Sequence, residues 1–369
     1  MSKKSKVLDF KEILEESNKL PDLFQIMDET GKIVNEAYMP ELTDDQLVEM
    51  MEIMVWGREY NNRVSILSRQ GIIGNLPPTE GQEASQLISQ YVLEKGDWLL
   101  PSYRDVPPMI RHGVPMSQAM NWYIGHTNGF SYDKDIKSFP PQVIIGAQII
   151  QATGVGLGLK KNNKKNVALT YIGDGGTSQG DFYEGLNFAG VYDAPVIFVA
   201  QNNGFGISVP RSFQTRSATL SQKGHGVGIA HLFVDGMDPL AVYAATKAAR
   251  DHAVNGHGPV LLEFLTFRYG PHTLSDDPRR YRENEMVERW LPKDQLIRMR
   301  NFLTERGLWN EEKEEAVLEK TQAEVKEALE IARKAEKQTV SGYLKNMFEV
   351  MPPSVKEQYE AFKIKEEQE

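Results

Sequence analysis

The sequence predicts an α/β fold: a mostly parallel sheet with helices on both faces, extended by helical segments at both ends. Three observations carry this. Apolar strand-like runs alternate with helical segments from residue 143 to about 268, the pattern of parallel strands joined by crossover helices. The chain has 369 residues, too many for one small core, so one large α/β domain with helical additions, or two domains, is expected. Two of the strand-like runs end in short polar turns, "GDGG" at 173–176 and "NN" at 202–203. Open α/β sheets bind ligands at such carboxyl-terminal tips.

The elements follow in order. Residues 1–45 form a lead-in, a short amphipathic helix and then "FQIMDETGKIV", read as a hairpin about Asp28–Gly31. Thr43-Asp-Asp-Gln46 has the spacing of a capping box, and opens a helix to about Arg69 that Gly71 stops. Leu47, Met50, Met51, Met54 and Val55 share one face of it and read as core. Residues 71–142 are rich in Gly and Pro, with polar clusters "NLPPTEGQEAS", "PSYRDVPP" and "RHGVP". Loops of that length in a compact chain are usually functional. A helix over 143–160 is expected to be buried, with Gly154 and Gly158 admitting a close neighbour, and is too short and too polar to span a bilayer. Then come a strand (167–172), a helix (181–191), a strand (195–200), a helix around Pro239–Asn255 and a strand (260–267). Residues 268–284 show no periodicity and read as a long polar loop. The α/β domain is thus placed at 46–285 and a helical region at 286–369. Within the latter, Val317, Leu318, Val325 and Leu329 give an otherwise solvated helix a thin apolar stripe.

Bulk properties narrow the function. The net charge of −9 offers no broad basic face for a nucleic-acid backbone. With no cysteine, disulfides, thiolate zinc sites and a cysteine nucleophile are excluded. The first twenty residues have acidic residues and no apolar core segment, unlike a secretory signal or a transit peptide. A cytoplasmic protein, neither membrane-bound nor nucleic-acid-binding, is expected.

The candidate site lies at the sheet edge. One helix separates the strands 167–172 and 195–200, so they are parallel and their polar tips emerge on the same edge. Asp174 offers a carboxylate oxygen, Asn203 an amide oxygen, and the glycine-flanked backbone after it a carbonyl. Hard oxygen donors suit Mg²⁺ or Ca²⁺ rather than a soft metal. Mg²⁺ takes few protein ligands, and phosphate oxygens complete it. The helix near Asp181 aims its N-terminus at the same place. The expectation is a Mg²⁺–diphosphate site. "GDGGTSQG" fits neither a dinucleotide fingerprint nor a phosphate loop.

Gly173-Asp174-Gly175, followed after a helix and a strand by Asn202-Asn203, is similar to the thiamine diphosphate signature. The wider run "GDGGTSQGDFYEGLNFAGVYDAPVIFVAQNN" resembles the α subunit of the decarboxylating component of 2-oxo acid dehydrogenase complexes. The resemblance extends from about Asp28 to the C-terminus and is nearest to the pyruvate branch of Gram-positive bacteria. It implies that Asp174 and Asn203 hold Mg²⁺ through side chains and Phe205 through its carbonyl. Tyr103 and Arg104 would contact the diphosphate. Ile145, Gly173, Gly175 and Gly176 would shape the pocket, and Ile207 would wedge the cofactor into a bent form. His272 would stand beside the diphosphate and the reacting carbon, with Arg268 anchoring its loop. Asp181 and Glu184 would lie on a proton path at a subunit interface, although acids at a helix N-terminus need no such role.

The implied chemistry is decarboxylation of a 2-oxo acid and transfer of the acyl fragment to a lipoyl group on an acyltransferase partner. The family's pyrimidine-binding half is not found in this chain, which implies an α₂β₂ assembly with a separate β chain. "GQEA" at 81–84 favours the pyruvate branch over the branched-chain one, whereas Asn75-Leu76 stand where relatives carry an aromatic pair. Arg280 and Thr273 replace the phosphorylated serines of mammalian relatives, which makes kinase control unexpected. The rival class is a Mg²⁺–phosphate binding module that has lost the chemistry.

Overall fold

A computed structural model describes residues 8–368. Their elements run α1 (Phe10–Ser17), α2 (Asp44–Arg69), a π-helical turn (Ala84–Ile88) continuing into α3 (Ser89–Tyr91), β1 (Trp98–Leu100), α4 (Val106–Arg111), α5 (Met116–Tyr123) and α6 (Ala147–Lys161). Then come β2 (Ala168–Gly173), α7 (Gly180–Val191), β3 (Val196–Asn202), the short β4 (Phe205–Gly206) and β5 (Val209–Pro210), β6 (Ala230–Asp235), α8 (Pro239–Val254) and β7 (Val260–Leu265). The chain closes with α9 (Asn284–Trp290), α10 (Gln295–Glu305), α11 (Glu311–Ala332), α12 (Val340–Lys345) and α13 (Pro353–Glu366).

The sheet has five strands in the order β1-β2-β3-β7-β6, all parallel. Side chains alternate across it, as a period of two requires. Leu169, Tyr171, Ile197, Val199, Leu262 and Phe264 join α2, α8 and the C-terminal helices in one core. Ala168, Ile172, Val196, Phe198, Ala200 and Leu261 join α6 and α7 in a second. Both faces are therefore covered. The first core also takes in Ile26, Leu296 and Val325, from the ends of the chain.

The capping box of α2 forms, with Gln46 N donating to Thr43 Oγ1 at 3.2 Å and Thr43 N to Gln46 Oε1 at 3.0 Å. Leu47, Met50, Met51, Met54 and Val55 are buried. The stripe on α11 packs on α2, with Val325 buried and Val317, Leu318 and Leu329 partly so.

Several expectations need correction. The hairpin at Asp28 is only a tight turn, with one antiparallel bridge between Met27 and Ile33. The Asp28 carboxylate accepts from Thr30 and Lys32 there, and Phe24 instead bridges to β6. α6 starts at Ala147 rather than 143, because Gly146 adopts φ 96°. Its close approach is at Gly156, where an added Cβ would lie 2.6 Å from Val196, while Gly154 and Gly158 face open space. The stretch 71–142 holds the π-turn, α3, β1, α4 and α5 rather than loops alone, and β6 joins the sheet unforeseen.

Candidate functional site

Register places the site. Ile172 pairs with Ala200 and Gly173 with Gln201, so β2 and β3 end level. Asp174 and Asn203 follow these ends and line one cavity of about 510 Å³. Ser102, Tyr103 and Arg104 after β1, Ile145 before α6, Gln179 before α7, and Arg268 and His272 after β7 complete its wall. The cavity thus opens at the carboxyl edge of the sheet, where parallel strands present their turns.

Asp174 is 2% exposed, and burial pushes its carboxyl up to about 6. Its side chain accepts from Gln214 Nε2 at 3.1 Å, and together with the backbone N–H groups of Asp174 and Gly175 and the nearby Arg268 charge this offsets only part of the burial. A buried carboxylate so poorly compensated is a strong place for a cation. Asn203 is buried too, and its Oδ1 accepts from Phe205 N at 3.2 Å, which sets the turn into β4. The glycines divide their work. An added Cβ at Gly176 would come within 2.6 Å of Ile172, and one at Gly175 within 3.1 Å of Gly206. At Gly173 it would meet nothing and would project into free space on the cavity wall. Among the described residues no cluster of three His, Asp or Glu could hold a metal ion. The carboxylate, amide and carbonyl donors at 174, 203 and 205 therefore suit a hard cation that brings other oxygens with it.

Opposite lie two buried guanidiniums. Arg104 is 6% exposed, although a lone Arg normally reads as a surface charge. Its Nη1 donates to Pro78 O at 2.6 Å, and its Nη2 reaches His272 Nδ1 and His272 O, each at 3.1 Å. Burial pulls its guanidinium below its ordinary value. Arg268 is 1% exposed; it contacts His272 Nδ1 at 3.3 Å, Ile207 O at 3.1 Å and Tyr281 OH at 3.2 Å, and its Nε has no partner. Neither forms an ion pair with a carboxylate among the described residues; the fields of Asp105, Asp174 and Asp276 offset their charge only in part, and an anion in the cavity would add to that.

His272 sits between them. Burial, then the two guanidiniums, lower its imidazole to about 4. It is neutral at pH 7. Guanidiniums only donate, so Nδ1 accepts and Nε2 carries the proton. The loop is held from its other side by His272 N donating to Asp276 Oδ2 at 2.9 Å. Tyr103 lies edge-on to the imidazole at 6.0 Å.

Ile207 adopts φ 60° and is 56% exposed, so it is not the core residue its type suggests. A β-branched residue in the left-handed region is strained, and such strain concentrates at functional sites. Asp181 and Glu184 are not brought into the cavity. They lie half-buried and exposed on the first turns of α7, and only Gln179, just before them, lines the wall. Asn75 and Leu76 are also outside it. Leu76 is core, and Asn75 donates to Ser275 at 3.0 Å. Gln214 went unnoticed in the sequence because it lies forty residues from Asp174 in a stretch without pattern.

Fold and cavity together define an α/β protein with an arginine-lined cavity at the carboxyl edge of a parallel sheet. The chain belongs to the dehydrogenase E1 component family, whose profile matches residues 51–341. It is 53% identical over 359 residues, 97% of each chain, to the pyruvate dehydrogenase E1 component subunit alpha of Staphylococcus aureus. The protein of the same name from Staphylococcus epidermidis is 52% identical over 359 residues, again 97% of each chain.

Proposed function

We propose that this chain is the α subunit of a pyruvate dehydrogenase that binds thiamine diphosphate and Mg²⁺ in the cavity at the sheet edge. The observation that carries the reading is the pairing of two buried guanidiniums lacking carboxylate partners with one poorly compensated carboxylate, in a chain 53% identical to a protein of that name. The cofactor, when bound, supplies the carbanion chemistry by which a 2-oxo acid loses CO₂.

The chain's residues bind and orient. Arg104, with Tyr103 beside it, donates to the diphosphate, and the backbone of Gly173, Gly175 and Gly176 lets it approach. Asp174, Asn203 and the Phe205 carbonyl hold Mg²⁺, and binding the cation keeps Asp174 ionised. Ile145 and Ile207 flank the cofactor rings. Neutral His272 presents its Nε2–H as a donor beside the anion, oriented by Arg104 and Arg268. Asp181 and Glu184, outside the cavity, serve a proton path only if a second subunit covers α7.

A separate β chain in an α₂β₂ assembly completes the site, and the acetyl group passes to a lipoyl-bearing acyltransferase. The exposed apolar residues lining the cavity, Val143, Ile145 and Ile207, suit such a cover. No helix of the described residues is long and apolar enough to cross a membrane. The proposed setting is the cytoplasm.

The test mixes the chain with its β partner and follows turnover with an artificial electron acceptor. Pyruvate should exceed 2-oxobutyrate and branched 2-oxo acids, and the chain alone should be inactive. A preference for branched acids would replace the substrate assignment. Absence of turnover with every acid, with cofactor bound, would leave a binding module.

A further inference from the structure

Lys223 lies in the 3₁₀ segment Ser221–Val227 and is 7% exposed. Its Nζ donates to Thr177 O and to Thr177 Oγ1, both at 2.9 Å. Thr177 in turn donates to Asp174 O, from Oγ1 at 2.8 Å and from N at 3.2 Å. The ammonium is thus two hydrogen bonds from the main chain of Asp174.

The groups around it leave its charge unpaired. The rings of Phe182 and Tyr183 on α7 face it at 5.8 and 5.3 Å. Glu263 of β7 lies near, but its oxygens accept from Asn202 Nδ2 and Ser221 N, each at 2.7 Å. Arg211 adds a like charge, and burial lowers the ammonium to about 8. Among the described residues Lys223 makes no ion pair. Burying a lysine this way is costly, and a leucine or methionine would fill the space at less cost. The packing favours the charge through the Thr177 oxygens, the two ring faces and the field of Glu263, none of them an ion pair; an anion in front of the turn would draw on it further.

We propose that Lys223 is a positioning residue for the diphosphate–metal group: it fixes Asp174 through Thr177 and adds positive charge behind the turn 174–178. This rests on the reading of Asp174 as the metal ligand.

The test titrates thiamine diphosphate with Mg²⁺ into the assembled enzyme and follows tryptophan fluorescence. Lys223→Met should raise Kd about tenfold or more. Thr177→Val, which keeps volume and removes the hydroxyl, should raise it less. The double variant should match Lys223→Met alone rather than the product of the two, because the link runs through Thr177. Wild-type affinity should fall between about pH 7 and about pH 9 as the ammonium discharges, and Lys223→Met should lack that step. An unchanged Kd, independent effects in the double variant, or a pH step surviving in Lys223→Met would each overturn the proposal. If Lys223→Met does not fold, an unchanged Kd in Thr177→Val overturns it alone. Asp174→Ala separates the two readings. If it retains the cofactor, the metal assignment fails; if it loses the cofactor while Lys223→Met binds normally, only the role of Lys223 fails.

Discussion

Ile207→Gly should cost the cofactor-free protein far less than its chemistry suggests. The side chain is 56% exposed, so truncation to Gly forfeits about half of a full burial, on the order of 1 kcal/mol. Glycine adds about 0.5–1 kcal/mol of unfolded-state entropy. Against this stands the strain of φ 60°, about 1–2 kcal/mol for an L-residue and more for a β-branched one. The sum is near zero. Val209, two residues on, is 45% exposed and has no positive φ, so Val209→Gly should bear the full cost of about 1.5–2 kcal/mol. Thermal melts of both variants in the cofactor-free chain without its β partner, where Ile207 keeps this exposure, measure the difference directly. Ile207→Gly should melt within a degree or so of wild type, and Val209→Gly several degrees lower. With cofactor bound, the order should reverse in activity, Ile207→Gly losing most of its turnover. If Ile207→Gly melts at or below Val209→Gly, the backbone stores no strain there and its link to function falls.

Three further expectations follow from the charges. His272 resists protonation until about pH 4, whereas the unfolded chain takes up that proton near 6.5. Its contribution to stability is therefore present above pH 6.5 and lost as pH falls towards 4. His272→Gln should flatten that part of the melting curve against pH; an unchanged slope would refute the neutral assignment. Arg104→Met removes a buried charge without a carboxylate partner, so the cofactor-free protein should lose little stability while thiamine diphosphate affinity falls by about a hundredfold. Calorimetric titration at equal affinity for wild type and variant would contradict this. Mg²⁺ with thiamine diphosphate should raise the melting temperature of the wild type, and Asp174→Ala should abolish the rise; a retained shift would mean the cation binds elsewhere.

The βαβ unit around Asp174 was legible because its signals are local. Apolar runs mark β2 and β3, glycines mark the turn between strand and helix, and the Thr43–Gln46 spacing marks the start of α2. What escaped depends on distant partners. β1 has three residues, too few for any period to show. β6 buries only its second half, so its first three residues look like loop. In 71–142 the scattered Pro and Gly mask short helices: α4 carries Pro107 and Pro108 in its first turn, where proline is tolerated. Gly156 could not be told from Gly154 and Gly158, because only the rotation of α6 against β3 decides which glycine meets Val196. The cavity divides the same way. Asp174 and Asn203 were visible as polar residues after strands, and His272 only through the family resemblance. The burial of Arg104 and the contacts of Gln214 and Lys223 exist only once the chain has folded back on itself.

The sheet is covered unequally. On one face α2 is itself overlaid by α10 and α11, and Met50, Met54 and Met299 reach zero exposure there. On the other, α6 and α7 form a single layer whose outer surface stays apolar: Ile150, Phe188, Val191 and Tyr192 are all more than 40% exposed. Phe188 and Tyr192 meet ring against ring at a tilt, with centroids 4.7 Å apart. An apolar helix layer of this kind belongs inside a larger core. It flanks the turn that carries Asp174, and Asp181 and Glu184 lie on its leading edge. Whatever seals α6 and α7 therefore also fixes the environment of those two acids.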